Sequence, residues 1–391
     1  MAQERDGNQI SSWGVPPPSH PHPFPMSPRE AILALNLLPS FGPVRITRLL
    51  EAFGDAQSVL SAPEKSLLRV DGIGPETAKV INRWQDHADP AKELAEAKQR
   101  GITIVTREDP SYPQHLLQVY DAPILLYVWG EIIPRDKHAI SVVGSRRATT
   151  YGINATRKLT YQLAHAGFTI VSGLARGIDT AAHESALAAK GRTIAIVGSG
   201  LARLYPPENL ALAEKIAEGN GAVISEFPLH KAPDKQTFPM RNRIVAAWCQ
   251  SLLVTECPAW SGSLITANLA TEYGKPVFAV PGPIDKPSSA GCNQLIRDGA
   301  TLVSDASHII DDMGELPFSR SELPLTETRA ELDLPPEEAA VLAAMPAGDE
   351  LEVNTLIEVT GLPSSAVTAA LFKLELRRLV RPLPGFRFMR R

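Results

Sequence analysis

Ala139-Ile140-Ser141-Val142-Val143-Gly144-Ser145-Arg146-Arg147 is an apolar run that ends in small residues and two cations. The pattern recurs downstream. Phe168 to Val171 leads into Ser172-Gly173-Leu174-Ala175-Arg176-Gly177-Ile178-Asp179, and Thr193 to Val197 leads into Gly198-Ser199-Gly200. Periodic helical sequence follows each unit. The stretch closes at Lys235, Phe238 and Arg241-Asn242-Arg243. Short buried strands that end in glycine-rich turns and feed helices make an open, mostly parallel α/β sheet with its binding loops at the strand carboxyl ends. Further strands are expected at 102–105, 124–128, 222–225, 251–255, 277–280 and 301–303. Helices are expected at 154–166, 181–189, 210–217 and 263–273. Right-handed crossovers then favour a doubly wound sheet covered on both faces, with the strand order not legible.

The rest of the 391 residues divides around this core. Residues 1–27, rich in Pro, His and Ser, read as a disordered tail without the apolar region of a secretory signal. Residues 28–90 read as short helices. Ser27 caps the first, and Val70-Asp71-Gly72-Ile73-Gly74-Pro75 forms a hairpin of the helix-hairpin-helix kind, with a weaker copy at Gly42. The sparse positive charge there, Lys79 and Arg83 opposed by Glu76, argues for a packing module over a DNA contact. Residues 91–315 form the α/β domain, with 91–137 on its sheet edge. Residues 316–332 read as a linker. Residues 333–391 read as three helices and a wing, a winged-helix pattern, with Lys373, Arg377, Arg378, Arg381, Arg387, Arg390 and Arg391 at its end. That charge suits either duplex DNA or a protein-interaction wing.

Composition narrows the chemistry. Net charge is −4, so nucleic-acid binding requires a local basic patch. Cys249, Cys257 and Cys292 lack metal-ligand spacing and read as reduced thiols of a cytoplasmic protein, with no metal site expected. No apolar run reaches the roughly 18 residues of a membrane helix. Gly198-Ser199-Gly200 lacks the third glycine of a dinucleotide loop, the second strand ends in Ser172 instead of an acid, and no GxxxxGK[ST] loop exists. No cofactor is therefore expected.

The loops read as anion sites. Gly144, Ser145 and Arg146 at one strand end, and Ser172, Gly173, Arg176 and Gly177 at the next, combine backbone N–H nests with guanidinium groups. Ser261-Gly262-Ser263 before a helix offers a third such site. Lys235, Phe238, Arg241 and Arg243 give an aromatic flanked by cations, which suits single-stranded nucleic acid: bases stack and phosphates meet charge. One of Arg241 and Arg243 is expected to pair with Glu226 or Glu256 while the other faces ligand; which one stays open. Asp179 is expected to cap a helix and leave His183 on its face. Asp179, His183 and Glu226 have no arranged nucleophile, so catalysis is not expected.

At these residues the chain resembles the DNA-processing protein A (DprA, also called Smf) family. The motifs that carry the likeness are Val143-Gly144-Ser145-Arg146, Ser172 to Asp179, Phe238-Pro239-Met240-Arg241-Asn242-Arg243-Ile244 and Ser261-Gly262-Ser263-Leu264. The resemblance implies an extended Rossmann-like core, an N-terminal all-α helix-hairpin-helix (SAM-like) module and a C-terminal winged helix. It implies a cytoplasmic homodimer that binds incoming single-stranded DNA in natural transformation and recombination, shields it and helps load the RecA recombinase. The single-strand pocket would fall on Arg146, Lys235, Phe238 and the 172–177 loop, with Arg241 and Arg243 nearby. Two other readings are weighed. A nucleotide phosphoribohydrolase uses a related core, but its tandem glycines are absent around Trp260 to Thr266, ahead of Glu272. A transcription regulator would act through residues 333–391.

Overall fold

The computed structural model describes residues 26–39, 41–314, 335–345, 350–376, 379–383 and 387–390. The expected tail (but for its last two residues), the 316–332 linker and the wing turn at Pro384 and Gly385 lie outside them, as do Arg377, Arg378 and Arg391. The chain forms two compact units, Met1–Ser319 and Arg320–Arg391.

The first unit is built on β1 (Ile102–Thr106), β2 (Leu125–Gly130), β3 (Ala139–Val143), β4 (Thr169–Ser172), β5 (Thr193–Ile196), β6 (Gly221–Ser225), β7 (Ser251–Val254), β8 (Val277–Ala279) and β9 (Thr301–Leu302). Each falls within two residues of an apolar run read from the sequence. The order across the sheet is β1-β2-β6-β5-β4-β3-β7-β8-β9. From β6 to β9 all neighbours are parallel; β2 joins β6, and β1 joins β2, antiparallel. The apolar runs are continuous because helices cover the parallel strands on both faces: β3 through β7 are buried throughout.

The chain lays down β3, β4, β5 and β6 in one direction. The helix Thr237–Trp248 then carries it back across the sheet to β7, on the other side of β3. The order therefore reverses between β3 and β7. Loops leaving neighbouring strands diverge at such a point, which opens a crevice at the carboxyl ends.

Two helices begin earlier than their periodicity predicts. The helix expected from Asn154 starts at Thr150, because the Thr149 side chain accepts from the Gly152 N–H and caps it. The helix expected from Ala181 starts at Ile178, directly behind Gly177.

The N-terminal helices begin at Pro28–Leu37, held by a capping box. Ser27 Oγ accepts from Glu30 N, and Glu30 accepts from Ser27 N at 2.8 Å. They do not form a separate core. Leu33, Leu35, Leu49 and Ile81 share one apolar cluster with Ile104, Leu125, Tyr127 and Val197, across the boundary expected at residue 90. Arg107 also donates to Thr47 at 3.0 Å. At the second hairpin, Gly72 takes a φ of +82°, and Arg48 pairs with Asp71 at 2.7 Å.

The second unit holds the helices Pro336–Ala343, Val353–Thr360 and Ser364–Leu376. Strands β10 (Glu350–Glu352), β11 (Val380–Leu383) and β12 (Arg387–Arg390) pair antiparallel in the order β10-β12-β11, which is a winged helix. Val341, Met345, Leu356, Val367, Leu371 and Leu374 make its core. Gly361, at a φ of +65°, ends the middle helix. Among the described residues no single helix is long and apolar enough to cross a membrane.

The amino ends of β3 to β5 hang on one buried carboxylate. Asp136 accepts from Ile133 N, Thr169 Oγ1 and the Arg192 guanidinium, all at 2.9 Å. Its removal strands a largely buried guanidinium, a backbone N–H and a hydroxyl. Asp136→Ala should therefore cost about 3–5 kcal/mol, with Asp136→Asn losing less, read as the urea unfolding midpoint of the full chain. A midpoint in Asp136→Ala equal to that of the parent would contradict this assignment.

Candidate functional site

A recess of about 560 Å³ opens at the β3/β7 crevice. Its walls are the loops after β3 (Val143 to Arg147), β4 (Gly173, Ala175) and β7 (Pro258 to Ser263), together with the first turns of the helix Thr237–Trp248. A smaller recess of about 220 Å³ continues over Arg176, Tyr205 and Pro206.

Two backbone bonds and one buried carboxylate hold the loops together. Ser145 N donates to Glu256 O at 2.7 Å, and Ile178 N donates to Ser145 O at 3.2 Å. Thr149 N donates to the Glu256 carboxylate at 2.9 Å, and the Thr149 hydroxyl bonds it too. Space is tight: a Cβ at Gly144 would lie 2.6 Å from Ile178 and 2.7 Å from Glu256 O. Gly177 combines a φ of +75° with a carbonyl, Ser145 O, lying where a Cβ would be.

The 172–177 loop departs from the expected anion nest. The N–H groups of Gly173 and Ala175 already donate to the Asp179 carboxylate, at 3.1 and 3.3 Å. Asp179 is thus a brace for this loop and not the cap of its helix, whose N-cap is Gly177. Burial pushes its carboxyl up, against the pull of Arg241 and the two N–H groups. The Ser172 hydroxyl donates to Val142 O at 2.6 Å inside the sheet, so Ser172 does not reach the recess. Gly177 supports the crossing and is likewise not on the wall.

Arg241 and Arg243 point opposite ways, being two residues apart on one helix. Arg243 is buried away from the recess. It pairs with Glu226 and donates to Asp121 O at 2.6 Å, so the expectation that it could meet ligand is corrected. Its partner is Glu226; Glu256 serves Thr149. Burial raises the Glu226 carboxyl, and Arg243 opposes that. Arg241 lines both recesses and donates to Gly173 O and Ile196 O. Burial lowers its pKa to about 10, which leaves it charged at neutral pH. His183 is fully buried, with Nδ1 2.7 Å from Thr193 Oγ1. That hydroxyl donates to Ile170 O, so it accepts the Nδ1 proton. Burial holds its pKa down to about 3, and the ring is neutral.

The remaining expected residues converge. Gly144, Ser145, Arg146, Gly173, Lys235, Phe238, Arg241, Ser261, Gly262 and Ser263 all line the larger recess, and Arg176 lines the smaller. Ser261 caps the helix Gly262–Glu272 through the Ser263 N–H. Phe238 is not bare. The Arg146 guanidinium stands over its ring, 4.8 Å from the centroid, and Tyr205 lies 5.9 Å away at 50°. Arg176 in turn lies 6.0 Å from the Tyr205 ring and pairs with Glu208. A cation–aromatic string, Arg146, Phe238, Tyr205, Arg176, therefore joins the two recesses. The glycine at 198 makes it fit: a Cβ there would meet Phe238 at 2.8 Å. Among the described residues, Arg146, Arg147 and Lys235 have no ion-pair partner. Among the cationic and aromatic wall residues, three stand outside the expected set. Arg147 adjoins Arg146, Tyr205 follows a different strand, and Trp260 has no neighbouring charge to mark it.

Comparison with known proteins bears on the fold and the family. Residues 103–314 match the family described as DNA recombination-mediator protein A, and residues 326–385 match the DprA winged helix domain. Protein Smf of Synechocystis sp. is 34% identical over 92% of this chain and 98% of its own length. Protein Smf of Escherichia coli is 38% identical over 72% of this chain and 76% of its own. The X-ray structure of DNA processing protein A from Streptococcus pneumoniae superposes with a TM-score of 0.63 at 34% identity, covering 76% of this chain and all of that one.

The buried arginine and the exposed one separate by stability. Arg243→Ala leaves Glu226 unpaired in the interior and should cost about 3–5 kcal/mol. Arg146→Ala, at an exposed side chain, should stay within about 0.5 kcal/mol of the parent. Thermal melts of the full chain check both; equal losses would contradict the division between frame and binding surface.

Proposed function

The chain belongs to the DNA recombination-mediator protein A family, and from that membership we propose that it binds single-stranded DNA in the β3/β7 recess as a non-catalytic mediator. The observation that carries this reading is the string of alternating cations and aromatics, Arg146, Phe238, Tyr205 and Arg176, with Arg147 and Lys235 as two further unpaired cations on the same walls. Unstacked bases lie against aromatic rings and guanidinium planes, and the phosphates between them meet the cations. A duplex keeps its bases inside and offers no such face. The acid–base candidates support binding over catalysis: Asp179 braces a loop, His183 is neutral and buried, and Glu226 is paired with Arg243.

The finer reading rests on the family resemblance. The protein acts in the cytoplasm during natural transformation and recombination, as a homodimer that shields the incoming strand and promotes RecA loading. Its winged helix adds a duplex or protein contact. The winged helix's place in the family pattern supports this, as does Arg387, exposed on its last strand.

Salt titration of labelled oligo-dT binding tests the recess. Arg146→Ala and Lys235→Ala should weaken binding across sequences, each lowering the log–log salt slope by roughly 0.7. Phe238→Ala removes the ring that supports Arg146 and should cost about 1–3 kcal/mol. Unchanged slopes in both charge variants would refute this placement. Preference for duplex, abolished by deletion of residues 332–391, would favour the regulator reading instead.

A further inference from the structure

We propose that Trp260 is a base-stacking platform of its own, holding the base adjacent to the one carried by Arg146 and Phe238. The inference rests on the single-strand reading above and adds a contact that reading does not require.

Phe238 is covered. One face carries the Arg146 guanidinium, Tyr205 stands beside it, and Gly198 lies under its edge. A base arriving there meets the guanidinium plane. Trp260 is the reverse case: the residue is 81% exposed on the wall of the same recess, whereas Trp84 and Trp248 are buried. An indole left in water forfeits stabilisation that a stacked partner would restore.

Its segment is also braced. Gly291 N donates to Cys257 O at 2.9 Å, and Ser261 N donates to Pro258 O at 3.1 Å. The hydroxyls of Ser261 and Ser263 share a 2.6 Å bond. A Cβ at Gly291 would lie 2.6 Å from Cys257 Sγ, so the helix Ala290–Arg297 presses directly on the base of the turn. The ring is thus offered on a short fixed turn, and little ordering entropy is lost when a base covers it. The occupant follows from the surroundings. Arg146, Arg147 and Lys235 line the recess with unpaired positive charge, which fits a strand with a phosphate between successive bases and not an apolar peptide.

Tryptophan emission of the full chain, titrated with oligo-dT and with an abasic strand of equal length, tests this. Oligo-dT should quench the parent, and the quench should largely vanish in Trp260→Phe while affinity is kept. Trp260→Ala should bind oligo-dT about tenfold more weakly, with an unchanged salt slope. The abasic strand should bind parent and Trp260→Ala alike. Parent-like oligo-dT affinity in Trp260→Ala, or a full quench in Trp260→Phe, would overturn the platform while leaving the single-strand reading intact. Failure of the parent to bind either strand would overturn both.

Discussion

The peptide at Gly173 is gripped from both sides. Its N–H donates to the Asp179 carboxylate, and its carbonyl accepts from the Arg241 guanidinium. A side chain at this position would collide with both groups. The grip costs the protein a buried carboxylate and a buried guanidinium, each of which resists desolvation. Backbone bonds offset that: Asp179 also takes the Ala175 N–H, and Arg241 also reaches Ile196 O on β5. The loop after β4 is thereby locked to the helix that leads into β7. The floor of the recess is fixed before any ligand arrives, and Arg241 holds its charge there at neutral pH. Preorganised charge loses little on binding, which is what a site for a flexible polyanion needs.

The switch in strand order gives this grip its location. Only between β3 and β7 do neighbouring loops part, and the glycine crossings at Gly144 and Gly177 keep the parted loops close to one another. A chain of net charge −4 can attract a strand because three unpaired cations, Arg146, Arg147 and Lys235, stand together in that one crevice.

Much of this was legible in the sequence. Buried parallel strands read as continuous apolar runs, and each strand is legible that way, as are four of the helices between them; Ala290–Arg297 and the first turns of Thr237–Trp248 are not. Clustering of Gly144, Arg146, Lys235 and Phe238 followed from placing loops at strand ends. What could not be read were contacts made across the fold. The N–H nest at Gly173 and Ala175 looked open because the carboxylate that fills it belongs to the next helix. Helical spacing sets Arg241 and Arg243 on opposite faces, yet only the position of Glu226 after β6 decides which one is buried. The boundary expected at residue 90 followed composition, while Leu33, Leu49 and Ile81 pack on the edge of the sheet. Trp260 gives no sign in the sequence for a related reason. A single aromatic in a loop carries no periodicity, and its exposure is a fact of three dimensions.

The most direct test of the account is a map of where a bound strand touches the chain. Oligo-dT carrying photoreactive 5-iododeoxyuridine would be crosslinked to the full protein and the adducted peptides sequenced by mass spectrometry. The account predicts adducts on the exposed aromatics of the two recesses, Trp260 and Tyr205 among them. Adducts confined to residues 353–390, with the recess unmodified, would contradict it.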